Sequence, residues 1–436
     1  MIWTIFLLVQ AVLLYFLLTD RTRSKTDPPL DKGVIPWLGH ALEFGKDASK
    51  FLNRMKQKHG DIFTCCWIHT HTTLVINDSD SLDFTRYAQV LMERIFNLQL
   101  PHHQPAKAKA MMKKHFLGMN LGTLNNTSSR HLRALLKAEM PQNQKDWKEE
   151  GLFNLSYSLL FKAGYLTLFG GEQNNNGTDP SSVYEEYKKF DGLLTKLARG
   201  TLKPDSSCKR RGTDEETQKK AVLMQLWASQ GNVGPAAFWL LGYLLTNPEA
   251  LAAVKREMET LETSLLDGPV NTPVFDSALD ETLRLTAAPF ITREVVQEKT
   301  LHMANGQEYL LRKGDRVCLF PFNSPQMDPE IYQEPQKFKY DRFLNDDGSV
   351  KRDFYKAGRR LKYYTMPWGA GTNGCVGKQF AINTIRQFVY MLLTNCDLEL
   401  CDPNAPMPEV NASRYGFGML QPEGDLLVRY KPKSTL

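Results

Sequence analysis

The chain opens on an apolar run: residues 2–18 carry only Thr4 and Gln10 as polar interruptions, and Arg21, Arg23 and Lys25 come directly after it. A run of this length is at the short end of what crosses a bilayer as a helix, and basic residues behind it predict a cytosolic position for the rest of the chain. A cleaved leader would carry its basic residues ahead of the run and a small-residue cleavage site behind it; neither is present. Pro28, Pro29 and Pro36 then stiffen a connector. Over residues 62–76 the pattern predicts two strands joined near residues 69–71. From 81 to 201 the spacing turns helical, as at Leu152, Leu155, Leu159 and Leu160, before a polar, loop-like stretch at 202–220. A long apolar helix is expected over 220–245, closed by Thr246, Asn247 and Pro248. Further helices are expected over 248–265 and 274–285, short strands and turns over 289–320, and a last helix over 378–395.

Composition changes this picture little. The 436 residues allow two or three domains or one large helical one, and 42% hydrophobic residues suffice for a substantial core. The net charge of +6 is spread along the chain, and its densest piece, Lys209, Arg210 and Arg211, lies beside Asp214, Glu215 and Glu216. That mixture gives nucleic-acid binding no support. Seven cysteines, an odd number at low density, fit a reducing compartment. Cys65 and Cys66 lie near His69 and His71, but neighbours on a strand point to opposite faces and do not enclose one metal. With the body in the cytosol, the sequons at Asn77, Asn125, Asn126, Asn154, Asn176 and Asn411 never meet the glycosylation machinery.

The strongest chemical signal is a single cysteine among glycines. Gly369, Gly371, Gly374 and Gly377 surround Cys375, directly ahead of the helix that carries Ala381, Ile385, Phe388 and Leu392 on one face. Such a loop lets backbone approach a flat ligand, and amides at a helix N-terminus favour the thiolate that a metal requires. One thiolate without neighbouring Cys or His ligands suits a haem iron, whose equatorial ligands come from the porphyrin. Upstream, Glu281 and Arg284 share a helix face, and Arg342, within a stretch that also holds Pro335, Phe338 and Phe343, supplies a second arginine. A carboxylate held between two arginines ties a helix to an irregular loop through charge-assisted hydrogen bonds. In the long helix Pro235 lacks an amide hydrogen and crowds the carbonyl of Gly231, which should open the helix beside Asn232.

Taken in order, Glu281 with Arg284, the segment ending in Arg342 and Phe343, and the Cys375 loop resemble the signature set of the cytochrome P-450 superfamily. The resemblance implies one large, mainly α domain with a minor β-sheet (α+β) over residues 36–436, behind an anchor at 1–20 and a basic, proline-rich linker at 21–35. It also implies haem b with Cys375 as the axial thiolate, and a structural triad of Glu281, Arg284 and Arg342. Arg293 is then a candidate propionate partner, with Gly371, Asn373 and Gly377 in the haem loop. Asn373 stands where most members have arginine, which leaves Lys113 or Lys114, on an early helix, as an alternative partner.

Most oxygen-activating members carry an acid followed by threonine where this chain has Gly231 and Asn232, and neither of these acts as a general acid. That departure narrows the resemblance to the branch of endoperoxide isomerases and sterol 7α- and 12α-hydroxylases. The stretches at 285–293, 234–239 and 413–418 favour the isomerases. The implied activity is conversion of prostaglandin H to prostacyclin by haem-iron-mediated O–O cleavage and cyclisation, without dioxygen, NADPH or a reductase. Asn232 orients the substrate in that reading, and Trp239, Phe290, Ile291, Thr292 and Phe417 are candidates for the pocket. A sterol monooxygenase or a non-catalytic haem-binding short form are the competing expectations. The resemblance further implies a monomer, single-pass in the endoplasmic reticulum membrane, and a chain shortened just before Ser81 and between Leu202 and Lys219.

Overall fold

The computed structural model describes residues 3–4, 10, 24–33, 39–67, 70–74, 92–96, 112–141, 146–170, 179–199, 214–260, 271–303 and 306–433. Most of the apolar run at 2–18 and residues 68–69 lie outside them. Among the described residues no helix is long and apolar enough to cross a membrane.

The elements are, in chain order, first β1 (Leu30–Asp31), α1 (Ala41–Lys46), α2 (Ala48–His59), β2 (Phe63–Trp67), β3 (Thr70–Leu74), α3 (Met119–Glu139), β4 (Lys148–Gly151), α4 (Leu152–Phe169), α5 (Pro180–Ala198) and α6 (Asp214–Gln230). Then come α7 (Val233–Leu245), α8 (Pro248–Glu259), α9 (Pro273–Thr286), β5 (Ile291–Glu294), β6 (Lys299–His302), β7 (Glu308–Leu311) and β8 (Arg316–Leu319). The chain finishes with β9 (Tyr355–Lys356), β10 (Arg359–Arg360), α10 (Lys378–Asn395), β11 (Cys396–Leu400) and β12 (Leu427–Pro432). The result is mainly helical with small sheets, as expected.

Local chemistry sets several of these boundaries. Asp179 caps α5 by accepting from the amides of Ser181 and Ser182, and Pro180 occupies the first turn, where its missing N–H costs nothing. Asn247 and Pro248 start α8 in the same way. The polar stretch expected to be loop as far as residue 220 is helical from Asp214, because α6 extends by six residues the helix the apolar pattern placed at 220. The sequence of its first turns, residues 214–218, is wholly polar and so gave no apolar signal.

The expected long helix over 220–245 is interrupted. α6 ends at Gln230, Gly231 and Asn232 form a turn, and α7 begins at Val233. Pro235 has no N–H to give the Gly231 carbonyl; the ladder closes around it with Gly231 N–H on Trp227 O at 3.0 Å and Ala236 N–H on Asn232 O at 3.1 Å. Ten of the 13 residues of α7 are buried, so it is the central helix of the core. Leu155, Leu159 and Leu160 of α4 pack on Phe238, Leu240 and Leu241 of α7, with Phe388 and Leu392 of α10 and Leu132 of α3 in the same cluster. Apolar burial on this scale, at roughly 25 cal/mol per Å², is the main stabilising term.

The sheets sit at the edges of this helical core. The largest has the order β1-β2-β3-β8-β5; β2 and β3 are antiparallel, as the pattern over 62–76 predicts, while β3 and β8 run parallel across a wide gap in sequence. A second sheet orders β11-β12-β4. Along β12 exposed Leu427 and Arg429 alternate with buried Val428 and Tyr430.

Candidate functional site

Glu281 is fully buried on α9, and one carboxylate answers four donors. Arg284 Nε donates to Oε2 at 2.7 Å and its Nη2 to Oε1 at 2.8 Å; Arg342 Nε donates to Oε1 at 2.8 Å and the Lys339 amide to the same oxygen at 3.2 Å. The two arginines expected around this glutamate are therefore both in place. Sequence reasoning missed Gln326, whose Nε2 donates to the carbonyls of Arg284 and Ala287 at 3.0 and 2.8 Å while its backbone carbonyl accepts from Arg284 Nη1. It also missed Tyr332, whose ring lies 4.8 Å from the Arg284 guanidinium and 5.7 Å from that of Arg342. A lone Gln and a lone Tyr carry no pattern that would have singled them out.

In the loop itself, Gly369 (φ +69°) and Gly371 (φ +64°) adopt the left-handed conformation that other residues take at a cost of about 1–2 kcal/mol. The Cys375 amide donates to the Trp368 carbonyl at 2.9 Å, which folds the glycines back on themselves. Gly377 caps α10, and Ala381 N–H reaches the Gly377 carbonyl at 2.9 Å. Cys375 lies at an exposed edge of the loop. Its surroundings act on the thiol in both directions. Although the residue is exposed at the loop's edge, the loop partly shields its sulfur from water, and that desolvation pushes the thiol up, against the amides of Gly377 and Lys378 and the Lys378 charge, which favour the thiolate; the net direction is upward. The amides thus act as expected, and a cation at the sulfur is what would complete the stabilisation.

The residues expected around a haem come together unevenly. Arg293 is buried on β5, and its Nη1 donates to the Thr292 carbonyl at 2.9 Å. Asn373 is exposed at the end of a short 3-10 turn, Gly371–Asn373. Lys113 is exposed in a helical turn at 112–116, whose Phe116 ring lies 5.9 Å from Phe380 of α10, so that turn reaches the helix behind the cysteine. The chain's donor set fits an iron porphyrin: one accessible sulfur flanked by amides, an open glycine backbone beside it, and a buried Trp368 indole N–H with no partner among the described residues.

At the break between α6 and α7 the polar contact is a carboxamide. Asn232 Oδ1 accepts the Met419 amide at 2.9 Å, which orients the carboxamide and leaves its NH₂ as the donor end. Phe290 stacks on Phe44 at 5.4 Å and meets Phe320 at 4.7 Å, while Phe417 packs with Ile95, Phe96 and Trp227. Ile291 and Thr292 are buried in β5, with the Thr292 hydroxyl 3.5 Å from Cys318 Sγ. Trp239 departs from expectation. It is 1% exposed, in the core cluster, with Nε1 donating to the Leu420 carbonyl at 2.8 Å; it supports the 420 segment and is not a pocket wall. Its indole N–H needed a buried acceptor, and the core supplies one.

A mainly helical body with small sheets, an arginine-braced buried glutamate and a lone cysteine in a glycine loop ahead of a helix define a haem-thiolate protein. The family model for cytochrome P450 matches residues 185–428, and the chain belongs to that family. Its cofactor is haem with a thiolate-bound iron. Among curated relatives, prostacyclin synthase of Homo sapiens is 47% identical, with 94% of this chain and 95% of the relative covered, and prostacyclin synthase of Bos taurus is 46% identical at the same coverage. The 7-alpha-hydroxycholest-4-en-3-one 12-alpha-hydroxylase of Oryctolagus cuniculus is 38% identical, with 95% of each chain covered. The alignment with the human protein runs over 474 positions, more than the 436 residues of this chain, so the relative carries internal stretches that are absent here. Of the two places where the sequence suggested missing length, the one just before Ser81 lies outside the described residues, and the one between Leu202 and Lys219 does so as far as residue 213.

Proposed function

We propose that the protein is an isomerase that converts the prostaglandin endoperoxide prostaglandin H to prostacyclin. The observation that carries the reading is 47% identity across 94% of the chain to a prostacyclin synthase. The site agrees with it chemically. Where an oxygen-activating enzyme needs a proton donor, the helix break presents the Asn232 carboxamide, which donates hydrogen bonds but does not ionise.

Bound haem supplies a Lewis-acidic iron with thiolate donation that favours O–O cleavage. The chain's own residues do the rest. Cys375, presented by the glycine loop and flanked by the Gly377 and Lys378 amides, would hold the iron through its thiolate. Arg293 would pair with a haem propionate, with Lys113 of the 112–116 turn and Asn373 of the loop as further candidates. The NH₂ of Asn232 holds an endoperoxide oxygen in place, and Phe290 and Phe417 exclude water from the substrate's apolar chains. A substrate that brings its own O–O bond requires no reductase. The lower identity to the sterol 12-alpha-hydroxylase ranks oxygen-dependent sterol hydroxylation second. We further propose a monomer in the endoplasmic reticulum membrane, held by residues 2–18 with the catalytic domain cytosolic; carbonate extraction and protease protection of microsomes check that arrangement.

The deciding experiment is anaerobic incubation of the purified holoprotein with prostaglandin H, without reductase or NADPH. Prostacyclin should form. A normal thiolate-haem spectrum without product would indicate a haem-binding short form, and sterol hydroxylation dependent on NADPH and dioxygen would indicate the second reading.

A further inference from the structure

The C-terminal loop that orients Asn232 is tied to a distant helix by a buried ion pair that the proposed chemistry does not use. Arg414 grips Asp191 of α5 with both arms, Nη1 to Oδ1 at 3.0 Å and Nη2 to Oδ2 at 2.6 Å, and Nη2 also reaches the Asp191 carbonyl at 3.0 Å. Gln421 Nε2 donates to the same carboxylate at 2.8 Å. Both charged residues are buried, so the pair is shielded from competing water and salt. The 223 residues between them make it a tie between separate elements, not a local turn.

What the tie encloses is the short run 414–421. From within that run the Met419 amide donates to Asn232 Oδ1, and Gly418 (φ +100°) leaves room for it: a Cβ there would stand 2.4 Å from Asn232 Oδ1. On its other side the run is fixed by backbone bonds, Ala288 N–H to Gly418 O and Leu420 N–H to Thr286 O, both 2.8 Å. Those bonds set the height of the loop, while the Asp191 grip holds its two ends against α5.

We propose that Asp191, Arg414 and Gln421 are positioning residues for the reaction: the clamp holds the 414–421 loop so that the Asn232 carboxamide keeps its oxygen on Met419 and its NH₂ toward the substrate. A loosened clamp lets the amide turn, and an amide turned by half a circle offers an acceptor to an oxygen that accepts only. The inference rests on the reading of Asn232 as the group that holds the endoperoxide.

A double-mutant cycle on the haem-loaded full chain tests it, with prostaglandin H as substrate and rates normalised to thiolate-haem content. Asn232→Ala should lower kcat by roughly tenfold or more, the scale of one lost hydrogen bond to a developing charge. Asp191→Asn should lower kcat by up to about the same factor with the Soret band unmoved, and should add nothing in the Asn232→Ala background. If Asp191→Asn does not fold, Arg414→Lys takes its place, since lysine keeps the charge but not the two-armed geometry. A potent Asn232→Ala whose effect multiplies with that of the clamp variant would overturn the inference alone. A neutral Asn232→Ala would overturn the role of Asn232 and the inference with it.

Discussion

Replacing Glu281 by Gln tests how much of the haem-bearing half of the molecule hangs on one carboxylate. Four donors from three residues converge on its two oxygens, and neither Glu281 nor Arg284 has any exposed surface. A glutamine offers one acceptor oxygen and turns an NH₂ toward the remaining donors, so at least one N–H meets another N–H, and two guanidiniums lose their counter-charge. Leaving a buried charge without its partner costs about 3–5 kcal/mol, a large share of the roughly 5–15 kcal/mol that holds a folded domain. With an unfolding entropy of roughly 2.1 cal/mol/K per residue, that cost corresponds to a fall in Tm of about 3–5 °C for a chain of 436 residues. The assay is a thermal scan of purified holoprotein monitored at the Soret band and by far-ultraviolet circular dichroism. Haem loss should lead helix loss, because the Arg342 segment links α9, through the Phe343 amide on Ser277 Oγ, to Tyr364 ahead of the cysteine loop, whose ring lies 6.1 Å from that of Phe343. A Tm within about 1 °C of the parent, with full haem content, would refute the argument that this carboxylate braces the core.

Three further outcomes rest on the same geometry. Cys375→Ala should fold, as judged by circular dichroism, yet lose the thiolate signature in the ferrous carbonyl spectrum and all endoperoxide turnover. Gly369→Ala places a Cβ at φ +69° and should cost about 1–2 kcal/mol and weaken haem retention, read by haem transfer to apomyoglobin. Asp328 is nearly buried; burial raises its carboxyl, but Lys356, the Glu330 amide and the Ser324 hydroxyl outweigh that and hold it below the usual carboxylate range. A depressed carboxylate contributes stability that is present above its unfolded pKa of about 3.9 and is lost as pH falls toward its folded value. The Tm gap between the parent and Asp328→Asn should therefore be constant from about pH 5 to 8 and shrink below about pH 4; a gap that widens in acid would contradict it.

Much of the site was legible because its signals are local or chemically rare. A cysteine set among four glycines ahead of an amphipathic helix needs no tertiary context to suggest a thiolate held at a backbone-lined surface, and α10 runs over the residues its spacing predicted. Glu281 and Arg284 lie one helical turn apart, so their pairing is written in the spacing, and Pro235 announces the break at Gly231 and Asn232 because a missing N–H acts within four residues.

Packing decided the rest. Trp239 carries the same aromatic side chain whether it lines a pocket or fills a core, and only the position of the Leu420 carbonyl assigns it to the core. The first turns of α6 show no apolar face, so their helicity is propagated from the apolar turns nearer its C-terminus. Gln326 and Asp191 act on groups 42 and 223 residues away, where no periodicity reaches. Sequence alone determined which residues had the chemistry for iron, charge pairing and helix breaking, because those properties belong to the side chain or to its nearest neighbours. Only the tertiary structure decided which of them share a site, because burial and hydrogen-bond partnership are properties of distances between segments that the order of residues does not contain.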